Sequence, residues 1–141
     1  RNQTASTFTT IIGMDIVALT AGTTNLGLRN ASPTVYTPST AQALAAGTTI
    51  LANATCIQIT ATGATTLTAT PTIADGQDGQ ILIIVNVDTA DTIILQDQSL
   101  LAGSNMLFAG SLNLSLTITS AVTLMFNSTI GDWVEIARSL N

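Results

Sequence analysis

Carboxylates are the main reactive groups of this 141-residue chain, which has eight Asp and Glu residues, three arginines, and neither lysine nor histidine. The densest acidic segment is Asp75-Gly76-Gln77-Asp78-Gly79, whose carboxylates are of the kind that binds calcium. The regular succession of oxygen ligands and the closing glutamate of an EF-hand loop are missing. The segment therefore predicts a turn before a buried strand, where Asp supplies local hydrogen bonds and Gly adopts positive φ.

Asp132 and Glu135 are two further carboxylates with the chemistry of a glycosidase acid–base pair. They lie three residues apart in a segment that reads as a strand, so they should point to opposite faces and share no substrate. Without histidine, neither a Ser-His-Asp nor a Cys-His arrangement can form. The single cysteine, Cys56, excludes an intramolecular disulfide and a multi-cysteine metal site. The sequence thus predicts no enzyme, with no catalytic residue, metal ligand, cofactor or small-molecule substrate.

The charge balance also bears on partners. A net charge of −5 with only Arg1, Arg29 and Arg138 as cations disfavours nucleic acid, whose phosphates need clustered Lys or Arg. Mean hydropathy is high, at +0.49. The longest aliphatic run, from Ile81 to Val85, is nevertheless far shorter than the ~20 residues of a spanning helix. We therefore expect neither a nucleic-acid partner nor a membrane.

The elements that would position these groups read as strands. From residue 48 onward, short segments rich in threonine and branched aliphatics alternate with turn residues. Segment 112–119 alternates most regularly and places Leu112, Leu114, Leu116 and Ile118 on one face, which should be buried. Segment 81–85 is apolar on both faces, which predicts a central strand covered on each side. The predicted strands are 56–61, 65–70, 81–85, 92–96, 112–119, 121–127 and 133–137.

The predicted fold class is all-β, an antiparallel sandwich or jelly-roll-like barrel with an extended N-terminal arm. Residues 88–91 read as a hairpin loop, and residues 39–46 read as a short helical turn that ends at Gly47. The strands follow no constant period, so a solenoid is not expected. The 26 threonines include several Thr-x-Thr triplets, which suggest ice binding, but solvent-facing strand positions explain them more simply.

Residues 1–35 lack the strand pattern and are predicted to form an arm that docks on another chain, with residues 36–141 as the β domain. An ordinary first strand of the same domain is the alternative interpretation. Trp133 is predicted either to pack in the core or to form a subunit contact. The apolar residues of the arm that would make the docking contact are Phe8, Ile11, Ile12, Met14, Ile16, Val17 and Leu19.

The C-terminal two-thirds resembles a known kind of module. The order of its elements is characteristic. A Gly-x-x-Gly turn leads into an apolar strand that ends in Asn, further strands follow, and the last strand contains Trp-x-Glu. The segments that carry this order are 75–86, 91–97, 112–114 and 131–139. This pattern resembles the small β domains of tailed-bacteriophage virions, found in capsid decoration (cement) proteins and in fibre proteins. It transfers no binding residue, because the pattern describes a fold and not a ligand.

The resemblance implies a non-enzymatic homotrimer on the virion, at the capsid surface. Such a cement protein binds the major capsid protein and stabilises the shell. Two alternatives remain. One is a phage tail or head fibre module that contacts the host surface, and the other is a non-viral carbohydrate-binding β domain, which would need exposed aromatic rings to stack on sugars.

Overall fold

In a computed structural model, the structure describes residues 35–141, and these form an all-β fold, as predicted. The predicted arm, including its docking residues from Phe8 to Leu19, lies outside the described residues. Nine strands form along the chain. They are β1 (Gln42–Leu44), β2 (Cys56–Ala61), β3 (Thr65–Thr66), β4 (Ile81–Asn86), β5 (Ile93–Leu95), β6 (Met106–Leu107), β7 (Leu114–Leu116), β8 (Ala121–Asn127) and β9 (Asp132–Ser139).

The strands form two sheets. The larger has six strands in the order β1-β2-β4-β8-β9-β6, and the smaller has three in the order β3-β5-β7. Pairing is antiparallel only between β4 and β8, β8 and β9, and β5 and β7. The other pairs, β1–β2, β2–β4, β3–β5 and β6–β9, are parallel. Three of the seven strand pairs are therefore antiparallel, as expected, and the other four are parallel, so both sheets are mixed.

Parallel pairing arises because the chain passes from one sheet to the other between β2 and β8. Strand β3 of the small sheet lies between β2 and β4 in sequence, so β2 and β4 enter the large sheet in the same direction. The chain thus winds alternately through the two sheets. The number of residues in the sequence between paired positions on neighbouring strands is not constant, since Gln42 pairs with Ile59 whereas Cys56 pairs with Ile83. This unequal spacing explains why no repeat is visible in the sequence.

The core lies between the sheets and is built by period-two alternation. In β8 every second residue is buried, and β2 and β4 follow the same pattern. Each such strand presents one apolar row to the opposite sheet, which removes it from water. The largest fully buried side chains include Trp133, Ile57, Ile59, Leu82, Ile84, Ile93, Leu95 and Leu114.

The helical turn predicted for residues 39–46 does not form, because this segment contains β1. The side chain of Gln42 accepts a hydrogen bond from the N–H of Leu51 (2.9 Å) and donates one to the Leu51 carbonyl (2.9 Å). Together with the parallel pairing to β2, these bonds fix an extended backbone. Tertiary contacts here override the helix propensity of an alanine-rich segment.

Two predictions around β5 and β7 also need correction. Residues 88–91 are not a hairpin loop, since β4 and β5 belong to different sheets. Of the four apolar residues predicted to be buried between 112 and 119, only Leu114 and Leu116 are buried; Leu112 is 64% exposed and Ile118 is 43% exposed. The backbone has positive φ at Ser111 and Thr119, three residues before and after β7, so a regular strand cannot run through these two positions.

Candidate functional site

The outward surface of the six-stranded sheet is the most distinctive feature of the described residues. Its side chains alternate with the buried ones on β2, β4 and β8 and lie in three rows that the strand register aligns. We call these twelve residues the outer sheet face. The rows are Ile81–Met125–Val134–Leu107, Cys56–Ile83–Thr123–Ala137 and Gln58–Val85–Ala121–Ser139.

The twelve residues of the outer sheet face are mostly apolar and carry no charge, whereas the next outward positions, Thr60, Asn127 and Asp132, are polar or acidic. Nine of the twelve residues are aliphatic, methionine or cysteine, and the other three are Gln58, Thr123 and Ser139. Most of these side chains are half-buried, and Ile81 is 37% exposed. A sheet with one face on a core normally presents polar side chains on the other face. This surface therefore differs from an ordinary solvated sheet.

The small sheet follows the ordinary rule. Its outward row aligns Thr66, Ile94 and Ser115, of which Thr66 and Ser115 are exposed and Ile94 is half-buried. We call this row the small-sheet face. The chain thus places threonine and serine on one solvent face while it places isoleucine, valine and methionine on the other. The outward rows of the two sheets therefore differ in composition.

Acidic residues lie at the strand ends that border the outer sheet face. Asp75 and Asp78 precede β4, Asp88 and Asp91 follow it, and Asp132 begins β9. Asp132 aligns with Asn127, in the row beyond Met125 and Val134. The described residues hold seven acids and a single cation, Arg138. The apolar surface therefore has an acidic rim.

Asp88 and Asp97 hold backbone turns. The N–H groups of Ala90 and Ala61 donate to the Asp88 carboxylate and lower its pKa. Burial alone would raise the pKa of Asp97, but hydrogen bonds from Ser99 and from the Phe108 N–H (2.7 Å) outweigh it and lower that pKa. Both carboxylates are ionised structural acceptors that stabilise loops.

Asp132 and Glu135 lie on opposite faces of β9, as their spacing predicts. Asp132 aligns with Asn127 and accepts a hydrogen bond from the Gln98 side chain (3.4 Å), whereas Glu135 aligns with the buried Leu124. Burial raises the pKa of Asp132, and the nearby negative charge of Asp75 adds to this effect. The two carboxylates have different partners and do not form an acid–base pair.

Glu135 binds Arg138 and the backbone beside β6. Its carboxylate forms an ion pair with the Arg138 guanidinium and accepts a hydrogen bond from the Ala109 N–H (2.8 Å). The hydrogen bond from Arg138 is the main reason why the pKa of Glu135 is lowered. This pair fixes the loop after β6 to β9, a structural role.

Trp133 belongs to the core, and its indole is fully buried within its own chain. Its ring packs edge-on against Phe126 at a centroid distance of 5.2 Å, and its Nε1–H donates to the Ala74 carbonyl (3.2 Å). A side chain with no exposed surface cannot reach a second subunit. The core alternative for Trp133 thus fits the structure, and the subunit-contact alternative does not.

The acidic turn before β4 is held by the protein itself. Asp75 accepts a hydrogen bond from the Asn105 side chain (3.2 Å), and Asp78 accepts one from the Ser128 N–H (3.0 Å). Gly79 has a φ of 75°, the positive φ predicted for this turn. Between residues 35 and 141, no three His, Cys, Asp or Glu side chains are grouped closely enough to hold a metal ion.

Sequence reasoning missed the outer sheet face, although one signal pointed to it. Segment 81–85 is apolar on both faces, and the expectation was that both would be covered. The structure covers one side with the core and leaves Ile81, Ile83 and Val85 partly exposed on the other. The register across β2, β8 and β9, which local sequence does not reveal, joins these three residues into a wider surface.

Comparison with known proteins assigns this chain to no family. No protein-family model, curated protein or solved structure matches this chain. Over the described range, no helix is long and apolar enough to cross a membrane.

Proposed function

We propose that this chain is a virion structural protein, a capsid decoration (cement) protein that binds the major capsid protein as a homotrimer and stabilises the shell. The observation that carries the proposal is the outer sheet face, an uncharged and mostly apolar surface of aligned strand residues. Other exposed large apolar residues, such as Leu51, Leu100 and Leu112, lie outside it in loops. Large apolar patches on soluble proteins mark sites of association. The resemblance of residues 75–139 to phage β domains supplies the viral context.

The carboxylates support a binding role over catalysis. Asp88, Asp97 and Glu135 each accept hydrogen bonds that fix backbone segments, and Asp132 is bonded to Gln98. General acid–base catalysis needs a titrating group within reach of a bound substrate. These carboxylates are instead used to hold loops, as in a scaffold that presents a surface.

The burial of most aromatic residues disfavours the carbohydrate-binding alternative. Sugar-binding modules stack their ligands on exposed rings. Within residues 35–141, Phe108, Phe126 and Trp133 are buried, and Tyr36 alone presents a largely exposed ring. One tyrosine does not form the stacking platform that an extended sugar chain requires. The fibre alternative shares the same fold and surface and differs only in its location on the particle.

A binding assay on purified shells tests the proposal. The full chain is mixed with phage capsids stripped of accessory proteins, the capsids are sedimented, and the bound protein is counted and imaged by electron microscopy. We expect saturable binding at regular positions over the whole shell, with bound chains in multiples of three. Binding confined to the tail would support the fibre alternative, and absence of binding to any part of the particle would refute both viral functions.

A further inference from the structure

We infer that the outer sheet face is a self-association surface, covered in the assembled protein by the same face of a second copy of this chain. A face that pairs with itself gives a two-fold contact, so this contact is additional to the three-fold contact of the proposed trimer and rests on that proposal for its biological setting. The first step is the contrast between the two sheets. Ile83 and Ile94 are both half-buried isoleucines facing outward from an interior strand, yet their surroundings differ.

On the outer sheet face, Ile83 lies beside Cys56 on β2 and in the same column as Ile81 and Val85 on β4. On the small-sheet face, Ile94 lies between the exposed Thr66 and Ser115. One isoleucine is therefore part of a continuous apolar surface, and the other is an isolated apolar residue in a polar row. Isolated apolar residues are normal on protein surfaces, whereas contiguous ones mark contacts.

The distribution of charge favours an uncharged apolar occupant. The twelve residues include no ionisable group other than the Cys56 thiol, so they offer nothing to pair with a charged partner. Asp75, Asp78, Asp88 and Asp91 border the face at the ends of β4. A basic partner would be attracted to this rim but would have to bury unpaired cations against the apolar centre. A second copy presents a matching uncharged apolar centre, and only the two rims repel each other.

The size of the surface fits a weak contact between two copies. Each row spans four strands at ~4.8 Å spacing, and the three rows cover about six residues at ~3.3 Å rise, which gives a flat projection of roughly 380 Å² per copy. Two copies then bury roughly 760 Å², less than the ~1,000 Å² of a stable specific interface, so the contact belongs to the weak class. We therefore expect association that depends on concentration. It should strengthen with salt, because salt screens the repulsion between the acidic rims.

The experiment measures sedimentation of the full-length chain at low and high micromolar concentration, in low and high salt. The test variant is Ile83→Lys, and the matched control is Ile94→Lys, which places the same charge on the small-sheet face. We expect Ile83→Lys to weaken association by at least about 100-fold, since it brings like charges into an apolar contact. Ile94→Lys should change it by less than about threefold. Circular dichroism verifies that both variants fold.

Cys56 provides an independent readout, because it lies on the outer sheet face and is the single cysteine of the chain. Its alkylation rate should fall as the concentration of wild type or Ile94→Lys rises, and should stay constant for Ile83→Lys. If Ile83→Lys does not fold, Ile83→Thr replaces it, since threonine keeps the β-branched shape and matches Thr123 on the neighbouring strand.

Three results would overturn the inference. They are a wild type without concentration-dependent association in high salt, loss of association in the Ile94 variant with retention in the Ile83 variant, or an alkylation rate of Cys56 that is independent of concentration. The shell assay separates this inference from the proposed function. A chain that binds shells but never self-associates overturns the inference alone. A chain that self-associates through this face but binds no particle supports the inference and overturns the proposed function.

Discussion

Replacing Asn86 should destabilise the fold more than any surface change, because this side chain ties the two sheets together. Asn86 ends β4 in the large sheet and is fully buried. Its Nδ2 group donates to the Leu116 carbonyl of β7 (2.8 Å) and to the Asp91 carbonyl (2.9 Å). Its Oδ1 atom accepts from the Asp88 N–H (2.9 Å).

The magnitude follows from these bonds. Asn86→Ala removes partners from up to three backbone groups, and each buried polar group left without a partner costs about 1–3 kcal/mol. Allowing for water entering the vacated space, we expect a loss of about 3 kcal/mol of unfolding free energy. For a domain of this size that lowers the thermal midpoint by about 10 °C or more. Chemical denaturation measures the loss of unfolding free energy, and thermal melting measures the shift of the midpoint.

The control is Asn53→Ala, which changes an exposed asparagine and should shift stability by less than about 0.5 kcal/mol. Asn86→Asp adds a second test. A buried carboxylate facing two carbonyls has a raised pKa, so this variant should regain stability as pH falls through that pKa, when the protonated carboxyl can donate. Equal stabilities of Asn86→Ala and Asn53→Ala would refute the reasoning.

Three further predictions concern the acidic turn, the loop carboxylate and the arm. Gly76→Ala would place its Cβ 2.7 Å from the Trp133 ring, so we expect it to lower the free energy of unfolding by about 1–3 kcal/mol, measured by chemical denaturation. The control Gly63→Ala, whose Cβ would meet no atom within 4 Å, should change it very little. Because its folded pKa is lowered, ionised Asp97 stabilises the protein above its unfolded pKa, and this is lost as pH falls below about 4. Asp97→Asn should therefore lower stability at pH 7 and flatten its acid dependence; an unchanged pH profile would contradict this. Deleting residues 1–35 should abolish shell binding and leave the circular dichroism of the β domain unchanged; retained binding would refute the docking arm.

Three strands of the large sheet were predicted well, although the most regularly alternating segment, 112–119, belongs to the small sheet and was not. The bounds of β2 and β8 agree with the predicted 56–61 and 121–127, and β4 extends the predicted strand by one residue, Asn86. In these segments every second residue is apolar and buried, so local pattern and tertiary packing agree. Where both agree, sequence alone locates the strand.

The errors occur where long-range contacts decide the structure. β1 forms from a helix-prone segment because β2 and Leu51 bind it, and β6 is a two-residue strand fixed by pairing to Trp133 and Val134 of β9. The parallel pairing depends on the order in which the chain alternates between sheets, which no local signal encodes. For the same reason the outer sheet face could not be assembled from sequence, since its rows join residues of five strands.

The most direct test of the structural role is the number of copies of this protein in purified particles, measured by quantitative mass spectrometry against the major capsid protein. A cement protein that covers the shell should be present in a fixed ratio to the capsid protein, in hundreds of copies per particle. A handful of copies, or none after the particles are purified, would contradict the account.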